Sequence, residues 1–220
     1  MQIVLAAVND DLIRAWESTC GNMQNVKIHR GSIFDVKCDA IVSPTNSFGF
    51  MDGGLDLEIS EYFGGHVQER LQKLIQTRHH GELLVGMAEV VDTDHAEIPY
   101  LIAAPTMRVP TLLTDTVNVY LATRAILNLV KFGTVPDGTP VKHIIETIAI
   151  PGLGTGIGKV PPQICANQMK VALENILLSQ YKFPESWQEA QRCHDLLSAS
   201  DAGDLQLENC RDEISNFYSK

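Results

Sequence analysis

The chain has 220 residues, 45% hydrophobic and 20% charged, the balance of a globular protein with one domain and room for a short appendage. Its 17 basic and 27 acidic residues leave a net charge of −10, with no Lys/Arg cluster. That balance excludes an ordinary nucleic-acid binder, which carries at least a basic stripe. An anionic small molecule stays allowed, because backbone amides bind phosphate without side-chain charge.

In chain order, the apolar run 3–8 predicts a buried strand, and Asn9 or Asp10 caps a helix through about Cys20. Residues 26–30 and 40–42 are the next strands, separated by a polar turn. Val67, Leu71, Leu74 and Ile75 fall on one helical face, stopped near Gly81. Strands are predicted over 83–91, 100–104 and 144–150, rich in β-branched and aliphatic residues. A helix with the face Val119, Ala122, Ile126, Leu129 and Val130 is expected between Asp115 as cap and Gly133 as stop. Pro161 and Pro162 open another, with Cys165, Met169, Ala172, Leu173 and Ile176 on its core face. Ser186 and Glu189 form a capping box for a last helix through Leu197, after which the polar, acidic sequence is expected to fray. Strands alternating with helices predict an α/β fold: a three-layer α/β/α sandwich over residues 1–180, with 181–220 as a helical extension and polar tail.

Other classes drop out quickly. The run 3–8 has no basic residue before it and Asn9-Asp10-Asp11 directly after, which is not a signal peptide, and no stretch approaches the roughly 18 apolar residues of a membrane helix. The five cysteines are odd in number and lack metal-ligand spacing, as expected of free thiols in a cytoplasmic protein; neither metal nor cofactor is expected.

Two glycine-bearing loops carry the candidate chemistry. The segment from Pro151 to Lys159 places Gly152, Gly154, Gly156 and Gly158 between a strand and a Pro-opened helix, where several N–H groups can converge on one anion. It is not a Walker A loop, because Leu153 and Val160 stand where a glycine and a Ser/Thr are needed. It is not a dinucleotide fingerprint, because Ile157 stands where the third glycine belongs. The second loop, from Ser43 to Asp56, holds Asn46, Asp52, Gly53, Gly54 and Asp56 between a strand and a helix that Asp52 or Asp56 is expected to cap near Leu57.

With Gly31-Ser32-Ile33, these loops resemble the macro domain. The family pattern G-D-I, D-A-I-V-N-A-A-N, G-G-G-V-D is matched here by Gly31-Ser32-Ile33, by Asp39-Ala40-Ile41-Val42-Ser43-Pro44-Thr45-Asn46 and by Asp52-Gly53-Gly54-Leu55-Asp56. Residues 148–161 resemble its second phosphate loop, and the likeness spans roughly residues 1–180. The resemblance implies a mixed sheet and a cleft for ADP-ribose or a related nucleotide-diphosphate metabolite. Ser32, Ile33, Asp52, Gly53, Gly54 and Leu55 would line one part, and Gly152, Gly154, Thr155, Gly156, Ile157 and Gly158 would close over the diphosphate. Asn46 would hold a distal-ribose hydroxyl, and Asp56 matches the acidic residue that hydrolytic members use to activate water at the anomeric carbon.

Four positions depart from the pattern. Ser32 replaces the adenine-reading aspartate, leaving an uncharged acceptor, and Asp35 is the nearest substitute. Ser43 replaces the first asparagine, while Gly158 and Val160 replace aromatics, with Lys159 between them. Phe48 and Phe50 either cover the ligand or pack inside. The expectation is an ADP-ribosyl hydrolase with an ADP-ribosylated protein as a possible partner; the alternatives are a non-catalytic ADP-ribose reader and an ADP-ribose-phosphate phosphatase.

Overall fold

The computed structural model describes residues 1–198. Six strands, β1 (Gln2–Ala7), β2 (Val26–Arg30), β3 (Ala40–Ser43), β4 (Glu89–Asp92), β5 (Tyr100–Ala103) and β6 (Thr147–Ile150), form one sheet in the order β2-β1-β6-β3-β5-β4. All neighbours are parallel except the edge strand β4, which runs antiparallel to β5, so the sheet is mixed. Both faces are covered, which is why the inner strands β1, β3, β5 and β6 read as largely apolar runs and not as alternating ones. Ile3, Leu5, Val42, Ile102, Ile148 and Ile150 pack under α1 (Asp10–Cys20), α4 (Asn118–Phe132) and α5 (Pro162–Ile176). Val4, Ala6, Ile41, Leu101, Ala103 and Ala149 point the other way, toward α2 (Gly54–Phe63) and α3 (His66–Arg78). The three-layer sandwich expected from the sequence is the one observed.

Several boundaries differ from expectation, each for a local reason. The strand expected over 83–91 contracts to β4: Gly86 takes φ +95°, the Met87 amide turns back to Leu84 O at 2.9 Å, and Leu83 N–H donates to Ser47 O at 2.9 Å. The run 144–150 loses its first residues because the Ile144 and Ile145 amides close a short 3₁₀ turn on Val141 O at 3.0 and 2.9 Å. Asp115 does not cap α4. That helix begins after Val117, and the Tyr120 amide is taken by the fully buried Gln168 of α5, whose own amide donates to Thr116 O at 2.9 Å.

Other local rules hold. Asn9 Oδ1 accepts the Leu12 amide at 2.9 Å and starts α1. Ser186 Oγ accepts the Glu189 amide at 3.2 Å, opening α6 (Trp187–Ser198), which is tied to α5 by Asn167 donating to Leu196 O at 2.8 Å. The expected fraying after Ser198 lies outside the described residues. His79 holds Glu89 across 2.7 Å, and Arg78 reaches the same carboxylate at 2.8 Å, so the end of α3 is clamped to β4.

One carboxylate fixes the alignment of the sheet's centre. Asp39 Oδ2 accepts the amides of Glu146 and Thr147 at 2.9 and 2.8 Å, joining the entrances of β3 and β6. Replacing Asp39 with Ala strands both donors, and chemical denaturation is expected to show a loss of about 2 kcal/mol with an unchanged denaturant slope.

Candidate functional site

Because β1, β2, β3, β5 and β6 are parallel, their C-terminal ends share one edge of the sheet, the place where open α/β sheets hold ligands. A cleft of about 360 Å³ runs along it. Its wall takes residues from each strand's exit in spatial order: Gly31, Ser32 and Ile33 after β2, Val8 and Asn9 after β1, Pro151, Gly152 and residues 154–158 after β6, Pro44, Thr45, Asn46, Phe50 and residues 52–56 after β3, and Thr106, Met107 and Pro110 after β5. Five strand exits at about 4.8 Å spacing make a trough of about 19 Å, the length of an extended dinucleotide-sized ligand. Ser32, Ile33, Asn46, Asp52, Gly53, Gly54, Leu55, Asp56, Gly152, Gly154, Thr155, Gly156, Ile157 and Gly158, the binding and catalytic set expected from the sequence, all line it.

Two backbone cradles face each other across the trough. The first is the start of α2, which begins at Gly54 and not near Leu57. Its N-cap is Gly53, with no side-chain cap, so neither Asp52 nor Asp56 caps it. The amides of Gly54, Leu55 and Asp56 therefore have no upstream carbonyl partner, and the helix dipole adds partial positive charge there. Gly54 has φ +57°, which only glycine adopts without strain. The second cradle is the loop after β6. Its fold is pinned from below by Val160 N to Gly154 O at 3.1 Å and Leu113 N to Gly158 O at 2.8 Å. Among the described residues, the amides of Gly154, Thr155, Gly156 and Ile157 donate to no protein acceptor.

The glycines divide by role. A Cβ on Gly158 would stand 2.5 Å from Gly154 O, and one on Gly152 2.5 Å from the Leu12 side chain, so these two are needed for packing. A Cβ on Gly53 or Gly156 would meet nothing within 4 Å. Those two keep the trough open.

At the β3 end stands Asp56. The fully buried Ser43 donates its hydroxyl to Asp56 Oδ1 at 2.6 Å, leaving the other carboxylate oxygen unpaired. Burial pushes the Asp56 pKa up from 3.8 to about 6; the Ser43 hydrogen bond pulls it partly back, and the charge of Asp52 raises it further. Such a group is largely ionised at neutral pH yet basic enough to take a proton. Asn46 is committed differently. Its Oδ1 accepts the amides of Phe48 and Phe50 at 3.1 and 3.3 Å, and its Nδ2 donates to Phe50 O at 2.8 Å. The side chain holds the 46–50 loop together and keeps one N–H for anything in the cleft.

The remaining candidates separate cleanly. Phe50 lines the cleft, half exposed, whereas Phe48 lies outside it under the Arg108 guanidinium at 5.1 Å. Arg108 grips Glu82 through two bonds of 2.6 and 3.0 Å. Lys159 takes a left-handed turn and does not line the trough, nor does Asp35. No lysine, arginine or histidine is among the described lining residues, which do include Asp52, Asp56 and Glu58. No group of three or more His, Cys, Asp or Glu that could hold a metal occurs among the described residues. Sequence reasoning missed Asn9, Thr106, Pro110 and Glu58 as wall residues; the positions of Asn9, Thr106 and Pro110 past strand ends could have signalled them, whereas no local signal marks Glu58.

The comparisons with known proteins fit this geometry. A family model described as "Macro-like domain" matches residues 10–190. An uncharacterised protein of Aquifex aeolicus is 33% identical over 146 residues, 66% of this chain and 78% of that protein. Among solved structures, the macrodomain of Mycobacterium tuberculosis DarG superposes with a TM-score of 0.54 at 18% identity, covering 66% of this chain and 87% of that one. A mutant of the Oceanobacillus iheyensis macrodomain with ADPR gives 0.55 at 17% identity, covering 76% and 88%. At these identities the structures establish a common fold.

Because Asp56 ionises less readily in the folded chain than in the unfolded one, the unfolded chain sheds its proton first as pH rises. Wild-type stability should therefore fall between about pH 4 and pH 6 and stay lowered above that window. Asp56→Asn, which can still accept from Ser43, is expected to be more stable than the parent by roughly 1–3 kcal/mol at pH 8, with the advantage gone by pH 4, as read by thermal unfolding at both pH values.

Proposed function

We propose that this chain, which belongs to the macro-like domain family, binds ADP-ribose or a close nucleotide-diphosphate relative in this trough and hydrolyses an ADP-ribosyl bond there. The observation that carries the reading is the meeting of the two uncapped backbone cradles in one cleft, with a half-buried carboxylate at one end. An acidic protein with no basic side chain in the wall must hold a diphosphate through main-chain N–H groups and the α2 dipole, and both are aimed there. The apolar floor of Ala6, Ala7, Val8 and Ile33 at the β1–β2 end suits a base. The polar end at β3 suits a sugar.

With the diphosphate fixed between the cradles, the anomeric carbon of the terminal ribose is delivered to Asp56 without any free search. Its unpaired oxygen orients a water and accepts the proton as the water's oxygen bonds to that carbon; the acceptor group departs and is reprotonated. A pKa of about 6 leaves Asp56 about nine-tenths ionised at pH 7. One observation favours a non-catalytic reader instead: Asn46 spends most of its amide on its own loop. The phosphatase reading is weakened by charge, since a terminal phosphate would face Asp52 and Asp56 with no lining cation to offset it.

Calorimetry with ADP-ribose and release of ADP-ribose from a modified protein test the reading together. Binding by the parent is expected, with turnover reduced about 100-fold or more in Asp56→Asn. Turnover unchanged in that variant removes Asp56 from the mechanism, and binding without turnover in the parent makes the protein a reader. Gly156→Val, whose Cβ enters open space, should retain the parent's melting temperature while weakening binding by at least about tenfold.

The pH profile provides a further check. Turnover should fall about tenfold per pH unit below pH 6. Removing the hydroxyl that lowers the Asp56 pKa, in Ser43→Ala, should move the midpoint of that profile to higher pH.

A further inference from the structure

We infer that Glu58, on the second turn of α2, reads the exocyclic amino group of the base and so makes the site selective for a 6-aminopurine. The inference rests on the nucleotide-binding reading above and adds the group that sets its base preference.

Ser32 Oγ already accepts the Phe34 amide at 3.3 Å, so only part of its acceptor capacity remains. Asp10 is paired with Arg30, and neither Asp10 nor Asp35 lines the trough. The position of α2 supplies the missing acceptor. The helix starts beside β3 and runs toward the β2 exit, as the ring of Tyr62 shows: it stacks on Phe34 at 4.4 Å and 20°, two residues beyond Ser32. Leu55, Glu58 and Tyr62 are spaced three and four apart and share one flank of the helix. Leu55 and Glu58 both line the cleft, with Glu58 between the sugar-side cradle and the Phe34–Tyr62 stack.

Glu58 is exposed, and among the described residues its carboxylate has no ion-pair or hydrogen-bond partner. An unpaired carboxylate accepts from an amino group strongly and repels the carbonyl oxygen that replaces that group in a keto purine. The expected behaviour follows from charge and not from shape, because the two purines are nearly isosteric.

The test is calorimetric titration of the full chain with ADP-ribose and with its hypoxanthine counterpart, IDP-ribose. The parent is expected to prefer ADP-ribose by about tenfold or more. In Glu58→Gln, an exposed helix position with near-identical volume, the preference should shrink to within about threefold, chiefly through weaker ADP-ribose binding. Adding Ser32→Asp to Glu58→Gln should bring the preference back, which a merely structural role for Glu58 would not produce. Equal binding of the two nucleotides by the parent overturns the inference alone, as does a preference that survives in Glu58→Gln. Failure of the parent to bind either nucleotide overturns the inference and the nucleotide-binding reading together.

Discussion

The placement of β6 between β1 and β3 is the constraint on which the rest of the molecule depends. β6 begins at Thr147, 108 residues after the Asp39 that precedes β3, yet it pairs in parallel with both neighbours, Ile3 against Ile148 on one side and Ala40 against Ile148 on the other. Parallel pairing sends the segment after β6 out of the same edge as the segments after β1 and β3. Two loops remote in sequence thereby become the facing walls of one trough. If β6 sat at the sheet's border, the same glycines would form an ordinary surface turn. The Asp39 carboxylate secures this arrangement from the opposite edge, and the small Ala40 and Ala149 let the central strands lie under helices on both sides without crowding.

That geometry also explains how a chain with a charge of −10 presents a site for an anion. A lysine or arginine in the wall would be a mobile charge with several rotamers to freeze. Backbone amides are held already by the strand ends and by the bonds beneath the loop, so the positive ends of the peptide dipoles point inward at no further ordering cost. The requirement passes to the residues that permit the backbone shape. Gly54 accepts a left-handed φ, Gly158 allows the loop to fold onto Gly154 O, and Gly53 and Gly156 keep side chains out of the opening.

Much of the fold was legible because its signals are local. β1, β3 and β5 announce themselves as apolar runs, and the Asn9 and Ser186 caps work within three residues. The site was legible for a related reason: glycines just past strand ends have few structural uses, and two such clusters beside the Ser32 turn match a known pattern. What could not be read depends on partners far along the chain. The cap of α4 comes from Gln168, 48 residues beyond the amide it satisfies. Asp56 has the residue type and position of a helix cap, but Ser43, thirteen residues earlier, takes its carboxylate and turns it toward the trough. Residues 83–91 show the composition of a strand, and a single Gly86 turn ends that pattern before β4 can begin.

Asp56 and Asn46 show how one loop can assign opposite duties to two residues of similar appearance. Both are short polar side chains at the same end of the cleft. Asn46 faces three free main-chain groups within four residues, and an amide that can both donate and accept satisfies them, so its chemistry is used to shape the loop. Asp56 meets one hydroxyl only, and the burial that raises its pKa leaves its second oxygen without a partner. A buried carboxylate held by a single neutral hydrogen bond destabilises the fold around it, whereas a fully bonded one would stabilise it. The loop thus keeps its local order through Asn46 while its reactive capacity resides in the residue it leaves least satisfied.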